Sequence, residues 1–170
     1  MKKELAILGT VLLLAACTKS EKSAFLCELP DHVAIYKAKD GSTESYTFDS
    51  KLSNYDVKSS KPIDPDHDIR GSISIDVIER KNSLNIGYFI LLNKSMYTSQ
   101  YWQDKFLTCR KIYQNERSIT AICKYDNNLE TKFTYSRDIG VTSMTHICQN
   151  CGDGTAQVLV SKYGIGKSCD

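Results

Sequence analysis

From Val33 onward the chain alternates short runs rich in Ile, Val, Tyr, Phe and Thr with clusters of Gly, Asn, Asp and Ser. Such punctuation is that of β-strands separated by turns. Residues 33–38, a turn at Asp40-Gly41 and residues 44–52 predict a first hairpin. Residues 72–80 place Ile73, Ile75 and Val77 on one face and Ser72, Ser74 and Asp76 on the other, as a half-buried antiparallel strand requires. A turn at Lys81-Asn82-Ser83 leads into a further strand over 84–92. The most coherent stretch is a meander: 106–113, 118–125, a turn at 126–128, 129–136, and finally 156–163. Only 95–105 has helical spacing, with Tyr97, Tyr101, Trp102 and Phe106 compatible with one apolar stripe. The expectation is an all-β domain, an antiparallel sandwich or partly open barrel of seven to nine strands with at most one short helix.

The first residues follow another logic. Lys2 and Lys3 precede an apolar run over 5–16 that is too short to cross a bilayer as a helix but suits the hydrophobic region of a signal peptide. It ends Leu14-Ala15-Ala16-Cys17, and this junction resembles the lipobox of bacterial lipoproteins. The resemblance covers the first seventeen residues only. It implies cleavage after Ala16, a diacylglyceryl group on Cys17, and a permanent hold on the lipid bilayer through three acyl chains. Thr18, where an Asp would retain such a protein at the inner membrane, implies an outer-membrane address, facing the periplasm or the cell surface. The plain alternative is a secretory signal whose cut site happens to precede a Cys. Glu4 departs from a purely basic start. The resulting organisation is a signal peptide over 1–16, a lipidated polar tether over 17–23 and one globular domain over 24–170.

Of 170 residues, 41% are hydrophobic and 25% charged, a globular balance. Removing 1–16 takes away two Lys and one Glu, which leaves 20 basic against 19 acidic side chains and a net charge of +1. Such a chain has no field with which to attract nucleic acid.

Seven cysteines less the lipidated Cys17 leave six, an even number that in an oxidising compartment predicts up to three disulfides. Cys109 and Cys123 stand equidistant from Glu116, between two runs that read as arms of one hairpin, so they face each other and pair. Cys27, Cys148, Cys151 and Cys169 admit three pairings. The favoured arrangement has Cys148 and Cys151 each tie a different segment, one holding Cys27 and the other Cys169, because exported domains use bridges to fasten their termini. The competing reading takes Cys148-Gln-Asn-Cys151 as a redox pair that attacks substrate disulfides. Against it, Gly152-Asp153-Gly154 follows the motif where a helix start would be needed to stabilise the thiolate.

Other constellations break down. Asp64, Asp66 and Asp68 sit at calcium-loop spacing, but Ile69 replaces the turn Gly and Ile75 the bidentate Glu. Gly166-Lys167-Ser168 copies the end of a phosphate-binding loop, but Ser161 stands at its first Gly. His32, His67 and His146 are scattered, and no second cysteine pair at zinc spacing exists. No metal, cofactor or catalytic set is therefore expected. Tyr97, Tyr101 and Trp102 form the candidate contact surface, because interfaces use aromatic anchors. The reading that follows by elimination is a membrane-anchored exported lipoprotein that binds one protein partner and is not an enzyme, for instance an inhibitor of, or immunity protein against, an enzyme that attacks the envelope. The alternatives are a thiol–disulfide oxidoreductase built on Cys148 and Cys151, and a structural component of an envelope assembly.

Overall fold

A computed structural model describes residues 33–61, 72–125, 129–148 and 156–167, Cys148 in its backbone only. The signal segment, Cys17, the tether, His32, the 64–68 acidic loop and Cys27, Cys151 and Cys169 lie outside the described residues.

The domain is all-β and antiparallel. Among the described residues twelve strands occur: β1 Val33–Ala38, β2 Thr43–Asp49, β3 Asn54–Ser59, β4 Ser72–Arg80, β5 Ser83–Ile86, β6 Ile90–Asn93, β7 Tyr101–Gln103, β8 Thr108–Gln114, β9 Ser118–Tyr125, β10 Leu129–Ser136, β11 Gly140–Cys148 and β12 Gln157–Leu159. They form one sheet in the order β6-β5-β4-β3-β2-β1-β12-β11-β10-β9-β8-β7. Every neighbour in that order is also a neighbour in sequence, except that β12 returns to pair with β1. The sheet curls into a nearly closed barrel whose gap lies between β6 and β7, and the Trp102 indole spans it with a 2.8 Å hydrogen bond to the Leu91 carbonyl. The hairpin β5–β6 is covered on both faces, since all of β5 and the first three residues of β6 are buried.

Twelve strands correct the expected seven to nine, and the four that pattern alone misses have identifiable causes. β3 offers only Tyr55 and Val57 as apolar positions. The run 84–92 is two strands, because Gly87 at φ +55° turns the chain inside what reads as one apolar segment. The aromatic spacing of 95–105 does not mark a helix. A single 3₁₀ turn at Lys94–Tyr97, capped by Asn93 Oδ1 accepting from Ser95 N at 2.8 Å, is followed directly by β7. β11 carries a bulge: the register passes from Thr134 opposite Ser143 to Tyr135 opposite Val141. Its buried side chains, Val141 and Met144, are therefore three apart and do not show a period of two.

A bulge also governs the disulfide. Cys109 and Cys123 are paired in register and bridged, with Cα atoms 4.0 Å apart, the close approach of a non-hydrogen-bonded antiparallel pair. At the turn the pairing is Gln114 opposite Ile119, one residue out of step, and the shift between Lys111 and Tyr113 restores it.

Because the strands alternate in direction, alternate connections lie at the same end of the barrel. At one end the segment from Gly164 to Gly166 enters the interior. Gly164 N donates to Ile139 O at 2.7 Å and Val141 N to Ile165 O at 2.9 Å. The Tyr36 hydroxyl donates to Val141 O at 2.8 Å and accepts from Ile165 N at 3.0 Å, while Gly166 N donates to the Tyr55 hydroxyl at 3.2 Å. Ile165 is buried, and the rings of Tyr36, Tyr46 and Tyr55 stack edge to face above it in β1, β2 and β3. Burial raises the Tyr36 and Tyr46 hydroxyls far above their ordinary range and pushes Tyr55 up to about 12. Replacing Tyr36 with Phe strands one buried acceptor and one buried donor. The expected loss is about 2–3 kcal/mol, read as a lowered urea midpoint with an unchanged denaturant slope.

Candidate functional site

The three aromatics expected to form a contact surface are dispersed. Trp102 faces inward and is 5% exposed, whereas its neighbour Tyr101 points outward and is 63% exposed. Tyr97 lies at the plugged end, where the Arg137 guanidinium sits 4.7 Å over its ring. Cys148 is the last residue of β11, so the backbone at the start of Cys148-Gln-Asn-Cys151 is at the opposite end of the barrel; its partner thiol lies outside the described residues. Gly166, read as part of a failed phosphate loop, belongs to the buried plug.

The opposite end, here the mouth, carries the turn Gly87–Phe89 between β5 and β6 and the loop Asp104–Leu107 between β7 and β8. It gathers aromatic side chains from segments far apart in sequence. The Tyr88 ring lies 4.7 Å from that of Tyr125 and 6.2 Å from that of Phe106, and Phe89 meets the His146 imidazole edge to face at 5.1 Å. Tyr88 is 54% exposed, Phe106 39%, and Ile73 50%. Gly87 makes this possible: besides its positive φ, a Cβ there would lie 2.8 Å from Phe89 Cζ and 3.0 Å from Ile75 Cγ2.

Two cavities open here. One of about 310 Å³ lies among Ile73, Ile75, Asp76, Tyr88 and Phe106. A second of about 260 Å³ lies among Glu44, Tyr46, Val57, Ser59 and His146. Both are lined in part by Ile73, Ile75 and Phe89, so the two adjoin at these side chains. Mouths of β-barrels are common positions for such clefts. The loop that supports Phe106 is firmly built. Asp104 Oδ1 accepts from the backbone N–H groups of Phe106 and Leu107, both at 2.8 Å, and Oδ2 accepts from Asn85 Nδ2 at 2.6 Å. Burial alone would raise the Asp104 carboxyl, but the Leu107 and Phe106 amides, Asn85 and Arg80 outweigh it and hold the group below its ordinary value.

The polar groups in the cleft are few. The Tyr46 hydroxyl donates to Glu44 Oε2 at 2.9 Å. His146 Nδ1 lies 3.0 Å from the hydroxyl of Thr131, which is fully buried. Desolvation lowers the His146 pKa from its ordinary 6.5, against an opposing pull from Glu44. The folded protein thus disfavours the imidazolium, and the unfolded chain binds the proton more readily. The contribution to stability is present above 6.5 and is lost as the pH falls through the folded value. Between about pH 7.5 and pH 5 the urea midpoint of the wild type should fall further than that of His146→Gln, which keeps a partner for Thr131 and cannot titrate.

Among the described residues no three His, Cys, Asp or Glu side chains converge as a metal site would require, and no helix is long and apolar enough to cross a membrane. What the mouth offers is apolar surface with aromatic edges, suited to holding another molecule. The sequence did carry one signal for it: two adjacent aromatics follow Gly87 at a position where a tight turn ordinarily exposes polar residues. Compared with protein-family models, with curated proteins and with solved structures, the chain matches none.

Proposed function

We propose that this chain is an exported lipoprotein, anchored to the outer membrane through acylated Cys17, whose β-domain binds one protein partner through the mouth of its barrel. It acts without catalysis, as an inhibitor or immunity protein acts on an enzyme that attacks the envelope. The observation that supports this reading is the ring of exposed aromatic and aliphatic side chains, Tyr88, Phe106 and Ile73, around a concave cleft. A soluble domain that leaves such side chains together at one place, on turns held by a rigid sheet, presents what partner surfaces use as anchors. The nearly closed hydrogen-bonded frame suits inhibition, because little ordering entropy is lost on binding.

The test compares partners recovered from membranes of the producing cell after mild cross-linking. Tyr88→Ser with Phe106→Ser removes the two exposed rings and should leave the core intact; Val158→Ser with Val160→Ser alters exposed positions elsewhere. One stoichiometric protein should be recovered by the wild type and the second variant and be lost from the first. Equal recovery by both variants would remove the mouth from the interaction.

A further inference from the structure

The inner face of β2, β3 and β4 forms one wall of the second cavity. Glu44 stands directly opposite Ser59, and two residues along the strands Tyr46 stands opposite Val57, which stands opposite Ile73. All five line the cavity of about 260 Å³, and Ile75, Phe89 and His146 complete the lining. The wall is polar at one corner and apolar over the rest. Directly opposed side chains of an antiparallel pair have Cβ atoms about 4.5–5.5 Å apart, so one atom of an entering group can meet both Glu44 and Ser59.

The polar groups of this cavity have hydrogen-bonding capacity left over. Glu44 accepts from the Tyr46 hydroxyl at 2.9 Å and has no ion-pair partner among the described residues. A carboxylate offers about four acceptor positions, so most of them stay open. Ser59 Oγ accepts from Lys61 N at 3.2 Å, and its proton has no acceptor among the described residues. The Thr131 hydroxyl is fully buried and meets only His146 Nδ1 among the described residues, at 3.0 Å. A buried hydroxyl donates its proton, so Nδ1 accepts it and the neutral ring carries its own proton on Nε2. That N–H has no acceptor among the described residues, and Glu44 lies near enough to pull on the ring. The cavity thus combines a carboxylate that needs donors with a hydroxyl and an imidazole N–H that need acceptors.

We infer that this cavity receives a tyrosine side chain of the protein partner, its ring against Val57, Ile73 and Phe89 and its hydroxyl at the polar corner, donating to the Glu44 carboxylate and accepting from the Ser59 hydroxyl. This rests on the proposal that a protein partner binds at the mouth, and it names the side chain that enters. Hydrogen-bond complementarity selects that occupant. The corner calls for a group that donates and accepts through one atom, which among protein side chains is a hydroxyl. Ser and Thr bring a hydroxyl without an apolar body to cover the wall. Phe covers the wall but leaves Glu44 and Ser59 withdrawn from water without partners. A Lys or Arg head donates to Glu44 and offers no acceptor to the Ser59 or His146 protons, while an acidic tip meets the Glu44 carboxylate. A tyrosine ring also packs against Phe89 as aromatic pairs do.

The experiment uses the full chain purified from the producing cell, with four capped amino acids as probes: the acetyl amides of Tyr, Phe, O-methyl-Tyr and 4-aminomethyl-Phe. Binding is followed through the methyl resonances of Val57, Ile73 and Ile75. The Tyr probe should bind about tenfold more tightly than the Phe probe. The O-methyl probe accepts but cannot donate and should bind no better than the Phe probe, and the aminomethyl probe should stay below the Tyr probe. Ser59→Ala with Glu44→Gln, which leaves the Tyr46 hydroxyl an acceptor, should cut the Tyr preference to about threefold or less. The probe series on the wild type decides the matter whether or not that variant folds. Equal affinity for the Tyr and Phe probes, an aminomethyl probe that binds more tightly than the Tyr probe, a preference undiminished in the folded double variant, or no shift at these methyls with any probe would overturn the inference. If the Tyr preference is absent while the Tyr88→Ser, Phe106→Ser variant still loses its partner, the tyrosine fails and the mouth stands. If the preference is present but that variant keeps its partner, the mouth fails as the partner's site and the inference falls with it.

Discussion

Gly164→Ala should be the most damaging single substitution in the described part of the chain, either preventing folding or lowering stability by about 4 kcal/mol or more. A methyl at this position would lie 2.0 Å from Val141 O and 2.8 Å from the Tyr36 hydroxyl. The first of these is backbone in β11 and cannot swing aside. Relief requires the segment to withdraw, and withdrawal breaks the bonds from Gly164 N to Ile139 O, between Val141 and Ile165, and from Gly166 N to Tyr55. It also uncovers Ile165 and the faces of Leu84, Ile86 and Leu92 that lie beside Gly166. Gly41→Ala provides the comparison, for its φ is +85° but nothing lies within 4 Å of a Cβ there. Strain without overpacking should cost that variant only about 1 kcal/mol. Chemical unfolding of both, with the yield of folded protein, measures the difference. Equal stability of the two variants would show that the segment does not plug the barrel.

The second large effect concerns the bridge between β8 and β9. Replacing Cys109 and Cys123 together with Ala should lower stability by about 3 kcal/mol, the order expected for a bridge closing a short loop, here with a sequence separation of 14. Both sulfurs are buried, and Cys109 lies against the Leu91 carbonyl that also receives the Trp102 indole. The loss therefore adds a packing defect at the gap between β6 and β7, where no ladder holds the sheet. A guanidinium titration of the double variant should show a midpoint well below that of the wild type. Protection of the Trp102 indole proton against exchange should fall with it, because β7 is only three residues long and depends on β8.

Local patterning was legible where a strand keeps its period. Ser72–Arg80, Ser118–Tyr125 and Leu129–Ser136 follow the expected limits, and the Cys109–Cys123 pair follows from the hairpin that the pattern predicts. Equidistance from Glu116 succeeded only because the bulge near Ile112 offsets a turn centred half a residue away. Where the period breaks, legibility fails: β11 loses it to the bulge opposite Thr134 and Tyr135, and the β5–β6 hairpin hides its turn because Tyr88 and Phe89 occupy positions where polar residues signal a reversal. Contacts between distant segments left no trace in local sequence. Tyr36 reaches Ile165 across 129 positions, and Phe89 meets His146 only because the curled, nearly closed sheet brings β5–β6 beside β11. Proximity in sequence makes the aromatic cluster at 97–102 the natural anchor, yet strand alternation sends Tyr101 and Trp102 to opposite faces.

The central claim is that the aromatic mouth is the surface a protein partner covers. It is tested most directly by placing a photo-reactive amino acid at position 88, and separately at position 158, in the full chain, and irradiating intact producing cells. The account predicts one discrete cross-linked protein from position 88 and none from position 158. A partner cross-linked from 158 and not from 88 would contradict it.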